Sequence, residues 1–215
     1  MNATTPSLGI LAAATLAFAA CSASDEAATE ARAAEPAAAA PQVMAAPGCF
    51  LQRGTLAEAA ERASPLDSAT VALGGAEAKV CYGSPSLRGR VMLGEVEPFG
   101  QPWRSGANEA TGLHVAFRIE VAGATLEPGS YSLYTIPGES SWEVVVNAAH
   151  ERWGIPIGEE VRASDLGSIT VDAETLDEPV ERLTWRWERH SDTEADLILE
   201  WQTTRIRIPA ARVEG

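Results

Sequence analysis

Segments in which apolar and polar residues alternate, separated by glycine and proline, limit most strongly what this chain can fold into. From His114 to Val121 every second residue is apolar. Two Pro-Gly pairs follow, at Pro128-Gly129 and Pro137-Gly138, and this order suits a type II turn. A period of two residues is that of a half-buried strand. The pattern therefore predicts a protein built mainly of antiparallel strands.

The stretch Thr70–Tyr82 predicts a β-hairpin, because two apolar segments flank Gly74-Gly75. With these glycines as a two-residue turn, the expected facing pairs are Leu73 with Ala76, Val71 with Ala78, and Ala69 with Val80. Cys81 then lies on the opposite face of the hairpin.

Later segments repeat the strand pattern, and one of them changes phase. Further strands are predicted at Ser130–Ile136, Trp142–Asn147, Leu183–Arg189 and Ala195–Trp201. In the segments Leu183–Arg189 and Ala195–Trp201 the aligned apolar residues occupy odd positions, but in the next segment Ile206 and Ile208 are even. We therefore expect a bulge or turn near Gln202–Thr204. Thr55–Ala63 is the one convincing helical stretch. The fold class predicted is an antiparallel β-sandwich, jelly-roll-like or an open barrel, with one short N-terminal helix.

The N-terminus carries signals for export. Leu8–Ala20 is an apolar run of about thirteen residues, which suits a signal peptide better than a membrane span. Small residues precede Cys21 as in bacterial lipoprotein signals, so residues 1–20 are predicted to be removed and Cys21 to be lipidated. The alternative is ordinary secretion. Residues 21–48 are rich in Ala, Pro and Glu and are predicted to be a disordered tether. Residues 49–215 then form one domain.

The acidic composition excludes some partners. The formal net charge is -14, which argues against nucleic acid and against charge-driven binding to anionic lipid. The lipid on Cys21 is the expected contact with a membrane, the outer one in a Gram-negative cell. No cofactor or metal is predicted, because the chain lacks nucleotide-binding, HExxH and CxxC motifs and its three histidines are scattered.

Two further cysteines, Cys49 and Cys81, suggest a disulfide in an oxidising envelope. Closing this loop would contribute roughly 3 kcal/mol in the chain-entropy description. The alternative is two separate buried thiols.

Two polar loops bounded by glycine hold the candidate site residues. One contains Tyr82 and Arg88, and the other contains Trp103, Arg104, Asn108 and Glu109. In the first hypothesis the loops share a pocket, where arginine clamps an anionic or hydroxylated ligand, Asn108 and Glu109 orient it, and Trp103 offers a stacking face. In the second, the loops pin one another, with Arg104 and Glu109 as a charge pair.

Several motifs together resemble one family. They are YGSPSLRGR, PFGQPWRSGANEAT, LEPGSYSLYTIPGESSWEVVVN, LDEPVE and LILEWQTTRIRIP. In this order they resemble the domain-of-unknown-function family numbered 2911, found in secreted and lipid-anchored bacterial proteins. The resemblance runs from about Leu66 to Pro209. It implies a β-rich envelope domain with no established activity, offers no catalytic residues, and does not cover Cys49.

Three functions remain open from the sequence. The leading prediction is non-covalent binding of a carbohydrate, a peptide or an envelope partner through the loop Trp103–Glu109. A hydrolase using Glu109 with Arg104 is the second. A structural or assembly protein without a ligand site is the third.

Overall fold

One antiparallel sheet of nine strands forms the body of the protein in the computed structural model, which describes residues 43–214. The strands are β1 Leu66–Leu73, β2 Ala76–Gly83, β3 Ala107–Val115, β4 Ile119–Val121, β5 Ala124–Leu126, β6 Gly129–Ile136, β7 Ser141–Asn147, β8 Asp165–Arg189 and β9 Glu194–Arg212. Their order is β1-β2-β3-β6-β7-β8-β9-β4-β5. The mainly β, antiparallel fold is confirmed. The sheet is not a closed barrel, because β1 and β5 are its two edges.

Three predictions about the N-terminus concern residues outside the described range. They are the signal peptide at 1–20, the lipidation of Cys21 and the tether up to residue 42. The end of the predicted tether, residues 43–48, lies along the start of β2. The amide of Met44 donates to the Gly75 carbonyl at 2.9 Å, and the amide of Ala46 donates to the Glu77 carboxylate at 3.1 Å.

The β1–β2 hairpin has the register expected from the sequence. Leu73 faces Ala76, Val71 faces Ala78, and Ala69 faces Val80. Gly74 and Gly75 have φ angles of 57° and 79°, which is the left-handed conformation that a two-residue hairpin turn requires. Apolar patterning and turn chemistry were therefore sufficient to fix this element.

The prediction of one strand from His114 to Val121 is wrong. The chain pairs with β2 and β6 as β3 up to Val115, and from Ile119 it pairs with β9 as β4. Phe117, in the connection, is still buried in the same core. The apolar residues alternate through the break because they are all buried in the core. What changes at the break is the strand with which the backbone forms hydrogen bonds.

The long strand β8 connects the two parts of the sheet, because it pairs with β7 on one side and with β9 on the other. Its first part, Asp165–Asp172, pairs with β7, and from Ala173 it pairs with β9. The β8–β9 register shifts on either side of the pair Val180–Gln202, and Gln202 has a φ of 55°. The bulge expected near Gln202 is therefore confirmed.

Two short helices lie outside the sheet. Helix α1, Leu56–Ala60, begins with a capping box in which Thr55 and Glu58 exchange hydrogen bonds, and it is the short N-terminal helix that was predicted. Helix α2, Glu159–Arg162, was not predicted. Within residues 43–214 no helix is long and apolar enough to cross a membrane.

Candidate functional site

The two glycine-bounded loops meet in space. Gly83, at the end of β2, pairs with Ala107, at the start of β3. A side chain at Gly83 would collide with the carbonyl oxygen of Ala107, so only glycine allows the two backbones to approach this closely. This contact brings the predicted site residues of both loops to one end of the sheet.

Trp103 does not offer the stacking face that the binding hypothesis assigned to it. Its side chain is only 4% exposed and stacks on Trp201, with ring centroids 5.6 Å apart and planes at 11°. Trp142 meets it edge-on at 5.9 Å. The backbone of Trp103 exchanges two hydrogen bonds with Thr135 of β6. Because Trp103 pairs with the interior strand β6, its side chain points into the core.

Arg104 and Glu109 do not form the predicted charge pair. The Nε of Arg104 donates to the carbonyl of Gly106 at 3.1 Å. Burial lowers the pKa of Arg104, and the nearby Glu97 carboxylate acts against that shift. Burial likewise raises the pKa of Glu97, and Arg104 opposes it. Arg104 therefore stabilises its own loop.

The carboxylate of Glu109 is buried, at 4% exposure, and is held by groups that precede β1. Its Oε2 accepts a hydrogen bond from the Arg62 guanidinium at 2.8 Å, and its Oε1 accepts one from the Gln52 amide at 3.3 Å. Arg62 also donates to the carbonyl of Arg53 at 2.6 Å. Long-range pairing with a residue 47 positions earlier has no local sequence signal.

Asn108 and Arg88 bind the same stretch of chain. The Asn108 amide nitrogen donates to the Ser64 carbonyl at 3.0 Å, and the Arg88 guanidinium donates to the Ala63 carbonyl at 3.2 Å. We call residues 49–64 the N-terminal segment. Three of the predicted ligand-binding side chains, those of Asn108, Glu109 and Arg88, therefore hydrogen-bond to this segment of the same chain.

A disulfide between Cys49 and Cys81, the pair expected from the sequence, fastens the start of the N-terminal segment to β2. The guanidinium of Arg53 lies over the Trp153 ring at 5.8 Å. At Pro65, the residue directly after the segment, the backbone carbonyl accepts a hydrogen bond from the Ser84 amide at 2.7 Å. The segment is thus held at both ends and at Glu109 between them.

Tyr82 is a bracing residue in this arrangement. It is 2% exposed, and its hydroxyl lies 3.3 Å from the Trp185 carbonyl and 3.4 Å from the Asp67 carboxylate. Burial raises the pKa of Tyr82 to about 12, so the phenol is neutral at physiological pH.

A small cavity lies beneath the N-terminal segment. Its volume is about 10 Å³, which is room for about one water molecule. Its lining residues are Phe50, Leu66, Cys81, Tyr82, Gly83, Glu109, Ala110, Gly112, His114 and His150. Glu109, His114 and His150 therefore line one cavity, and Phe50 of the N-terminal segment lines it as well.

His114 is the functional candidate that sequence reasoning missed. It is 1% exposed, its Nδ1 lies 2.8 Å from the Ser130 hydroxyl, and its Nε2 has no hydrogen-bond partner within residues 43–214. Burial lowers its pKa to about 4, and His150 and Lys79 add to the shift. The sequence signal is the glycine two positions earlier in the same strand: a side chain at Gly112 would lie 2.7 Å from Nε2, so glycine there leaves room for the ring.

The chemistry of this cavity is that of a polar binding site. It offers a neutral imidazole and a carboxylate whose oxygens are satisfied by the N-terminal segment. In the described part of the chain, no group of three or more His, Cys, Asp or Glu side chains is placed to hold a metal ion. The hydrolase hypothesis needs a Glu109 carboxylate that can reach a substrate, whereas here its two oxygens are occupied by Arg62 and the Gln52 backbone amide.

A larger, open pocket of about 340 Å³ lies between the β4–β5 turn and the β8–β9 turn. Glu120, Glu194, Asp196 and His190 are its charged or titratable lining groups. Asp196 is already paired with His190 at 3.2 Å and with Arg207 at 3.7 Å. None of the predicted site residues lines this pocket.

Comparison with known proteins identifies the domain but no relative of known function. A search of curated proteins and a search of solved structures each found no significant match. The sequence model of one family, described as "Protein of unknown function (DUF2911)", matches residues 64–210, which is more than half of the chain. All but the last residue of the N-terminal segment precede the matched range. The chain therefore belongs to the DUF2911 family of proteins of unknown function.

Proposed function

We propose that this protein is a non-covalent peptide-binding protein of the cell envelope. The observation that carries the proposal is that Asn108, Glu109 and Arg88 all bind residues of the N-terminal segment. A site that binds a peptide of its own chain has the geometry to bind one from elsewhere.

The contacts favour a peptide over a carbohydrate. Asn108 and Arg88 donate to backbone carbonyls, and Glu109 accepts from a backbone amide. Contacts of this kind recognise the main chain of a peptide whatever its side chains. Sugar binding would instead use an exposed aromatic face, and Trp103 is buried.

His114 argues against the purely structural alternative. Bracing contacts such as the one from the Trp185 Nε1 to the Ser105 carbonyl, at 2.9 Å, satisfy the groups that make them. In contrast, the buried Nε2 of His114 lacks a partner among the described residues, as do Trp142 Nε1, Trp201 Nε1 and Arg152 Nη2, and such a group costs stability. Of these four residues only His114 lines the cavity that Glu109 also lines. A stability cost of this kind is expected at a functional site.

The experiment is binding to arrays of immobilised peptides and glycans. The full-length protein is compared with its Arg62→Ala variant, which loses the charged partner of Glu109 and keeps the disulfide. We expect Arg62→Ala to bind a subset of the peptides. Adding Glu109→Gln should weaken that binding at least tenfold, whereas Arg118→Ala, an exposed control paired only with Glu127 in the described residues, should leave it unchanged.

Two results would contradict the proposal. Binding to glycans alone would favour a carbohydrate ligand. Silence on both arrays for every variant, with all variants folded, would favour the structural alternative.

A further inference from the structure

We infer that the N-terminal segment is a tethered occupant of the peptide site, and that the partner is a peptide presenting a guanidinium group to Glu109. This inference rests on the proposed function. It adds the chemistry of the ligand and the device that excludes it.

The chemistry follows from what now occupies Glu109. The Glu109 side chain is 5% exposed, and its carboxylate is met by the guanidinium of Arg62, whose side chain is 22% exposed. A buried carboxylate that lost this partner would need another cation, since an unpaired buried charge is strongly unfavourable. Guanidinium also donates in a planar fork, and here the fork spans Glu109 Oε2 and the Arg53 carbonyl. A competing peptide therefore carries arginine.

The exclusion follows from the covalent connection. Residues 49–63 lie outside the range that matches the family, whereas Glu109, Asn108 and Arg88 lie inside it. The disulfide to Cys81 holds the start of the segment beside the site. A segment tethered at this distance competes at an effective concentration on the order of millimolar, so a free peptide meets a site that is already filled.

Reduction of the disulfide would remove one of the two attachments. A dithiol reductant transfers two electrons and two protons, the Cys49–Cys81 sulfur–sulfur bond breaks, two thiols form, and the dithiol becomes a disulfide. A reductant can approach from the Cys49 side through a surface depression of about 380 Å³. The depression is lined by Gly48, Cys49, Leu56, Leu66, Asp67, Ser68 and Lys79. Cys49 is half-buried, whereas Cys81 is buried, so the Cys49 sulfur is the one open to attack.

The test uses two short peptides with the full-length protein. The probes are acetyl-Gly-Arg-Gly-Gly-amide and the same peptide with citrulline, which has the shape of arginine without its charge. Titrations follow the backbone amide signals of Ala110 and Gly112 by nuclear magnetic resonance. We expect the arginine peptide to bind Cys49→Ser/Cys81→Ser, and the reduced wild type, at least tenfold more tightly than the oxidised wild type. The citrulline peptide should give no saturable shift.

Each possible outcome of these titrations would overturn a different part of the inference. Equal affinity for oxidised protein and for the double cysteine variant would refute the tethered occupant, while peptide binding itself would stand. Equal binding of both peptides would refute the guanidinium. If the arginine peptide bound no form, including the disulfide-bonded Arg62→Ala, the proposed site would fail as well. Arg62→Ala also keeps the test decisive if the cysteine variant does not fold.

Discussion

At the scale of single residues, the pairing of His114 with Gly112 is informative. Gly112 makes room for the ring, His114 lines the small cavity, and its Nε2 has no hydrogen-bond partner in residues 43–214. Because burial lowers the pKa of His114 to about 4, the residue is neutral at pH 7 and available as a hydrogen-bonding group, with Nδ1 paired to the Ser130 hydroxyl.

The depressed pKa of His114 predicts a stability that depends on pH. Between the ordinary histidine value of 6.5 and the folded value of about 4, the unfolded chain binds more protons than the folded one. The contribution of His114 is therefore fully present above pH 6.5 and lost as the pH falls to 4. Its size is about 3 kcal/mol. Denaturant unfolding at pH 7 and at pH 4.5 measures it.

The variant His114→Leu isolates this contribution. We expect it to lose less stability than wild type between the two pH values, because the apolar side chain cannot be protonated. The control is Thr203→Ala, at an exposed position of β9 that carries no titratable group, which should keep the wild-type dependence. Identical profiles for wild type and His114→Leu would refute the assignment.

At the scale of elements, the bulge in β9 also anchors a loop. Gln202, at a φ of 55°, directs its side-chain oxygen to the amides of Met92 at 3.0 Å and Leu93 at 3.3 Å. Met92 and Leu93 are both 5% exposed, so this oxygen satisfies two buried donors. The change of phase in the sequence therefore marks both a bend in a strand and the attachment of the loop between β2 and β3.

Substitution of Gln202 tests this double role. Gln202→Ala should lower the free energy of unfolding by about 1–2 kcal/mol, because two buried amides lose their acceptor. Gln202→Gly should be less damaging, since glycine accepts the positive φ without strain. In both variants hydrogen exchange at Met92 and Leu93 should accelerate. The exposed neighbour variant Thr203→Ala should leave it slow, and slow exchange in all three would contradict the role.

At the scale of the whole molecule, the N-terminal segment links the family domain to the part of the chain that carries the predicted signal peptide. The segment is fastened to the domain by the disulfide and by Glu109. Ahead of it, the sequence carries the apolar run Leu8–Ala20 and Cys21. With the predicted lipid on Cys21, the proposed peptide site would lie within some thirty residues of a membrane anchor.

Cys21→Ser tests the anchor. In a bacterial host that processes lipoproteins, we expect the wild type in the membrane fraction and Cys21→Ser in the soluble fraction, because acylation requires the thiol and multiple acyl chains give stable anchoring. Labelling with a palmitate analogue should mark only the wild type. Ser22→Ala, which keeps the thiol, is the matched control. A labelled or membrane-bound Cys21→Ser would refute lipidation.

Part of the candidate site was predictable from sequence because loop composition is local. Glycine-bounded polar loops indicated Asn108, Glu109 and Arg88, and these do lie at one place in the structure. Their partners were not predictable. The cation at Glu109 is Arg62 rather than Arg104, and Trp103 is a core residue, because strand pairing decides which side chains face each other.

The sequence by itself determined the mainly β fold, the β1–β2 register, the place of the short N-terminal helix and the change of phase at Gln202. These depend on a few neighbouring residues, on alternation and on the φ angles that turns require. Only the tertiary structure decided that β3 and β4 have different partners, that His114 is buried, and that the N-terminal segment covers Glu109. Such contacts join residues far apart in the chain, and their energy comes from burial and pairing that no local pattern records.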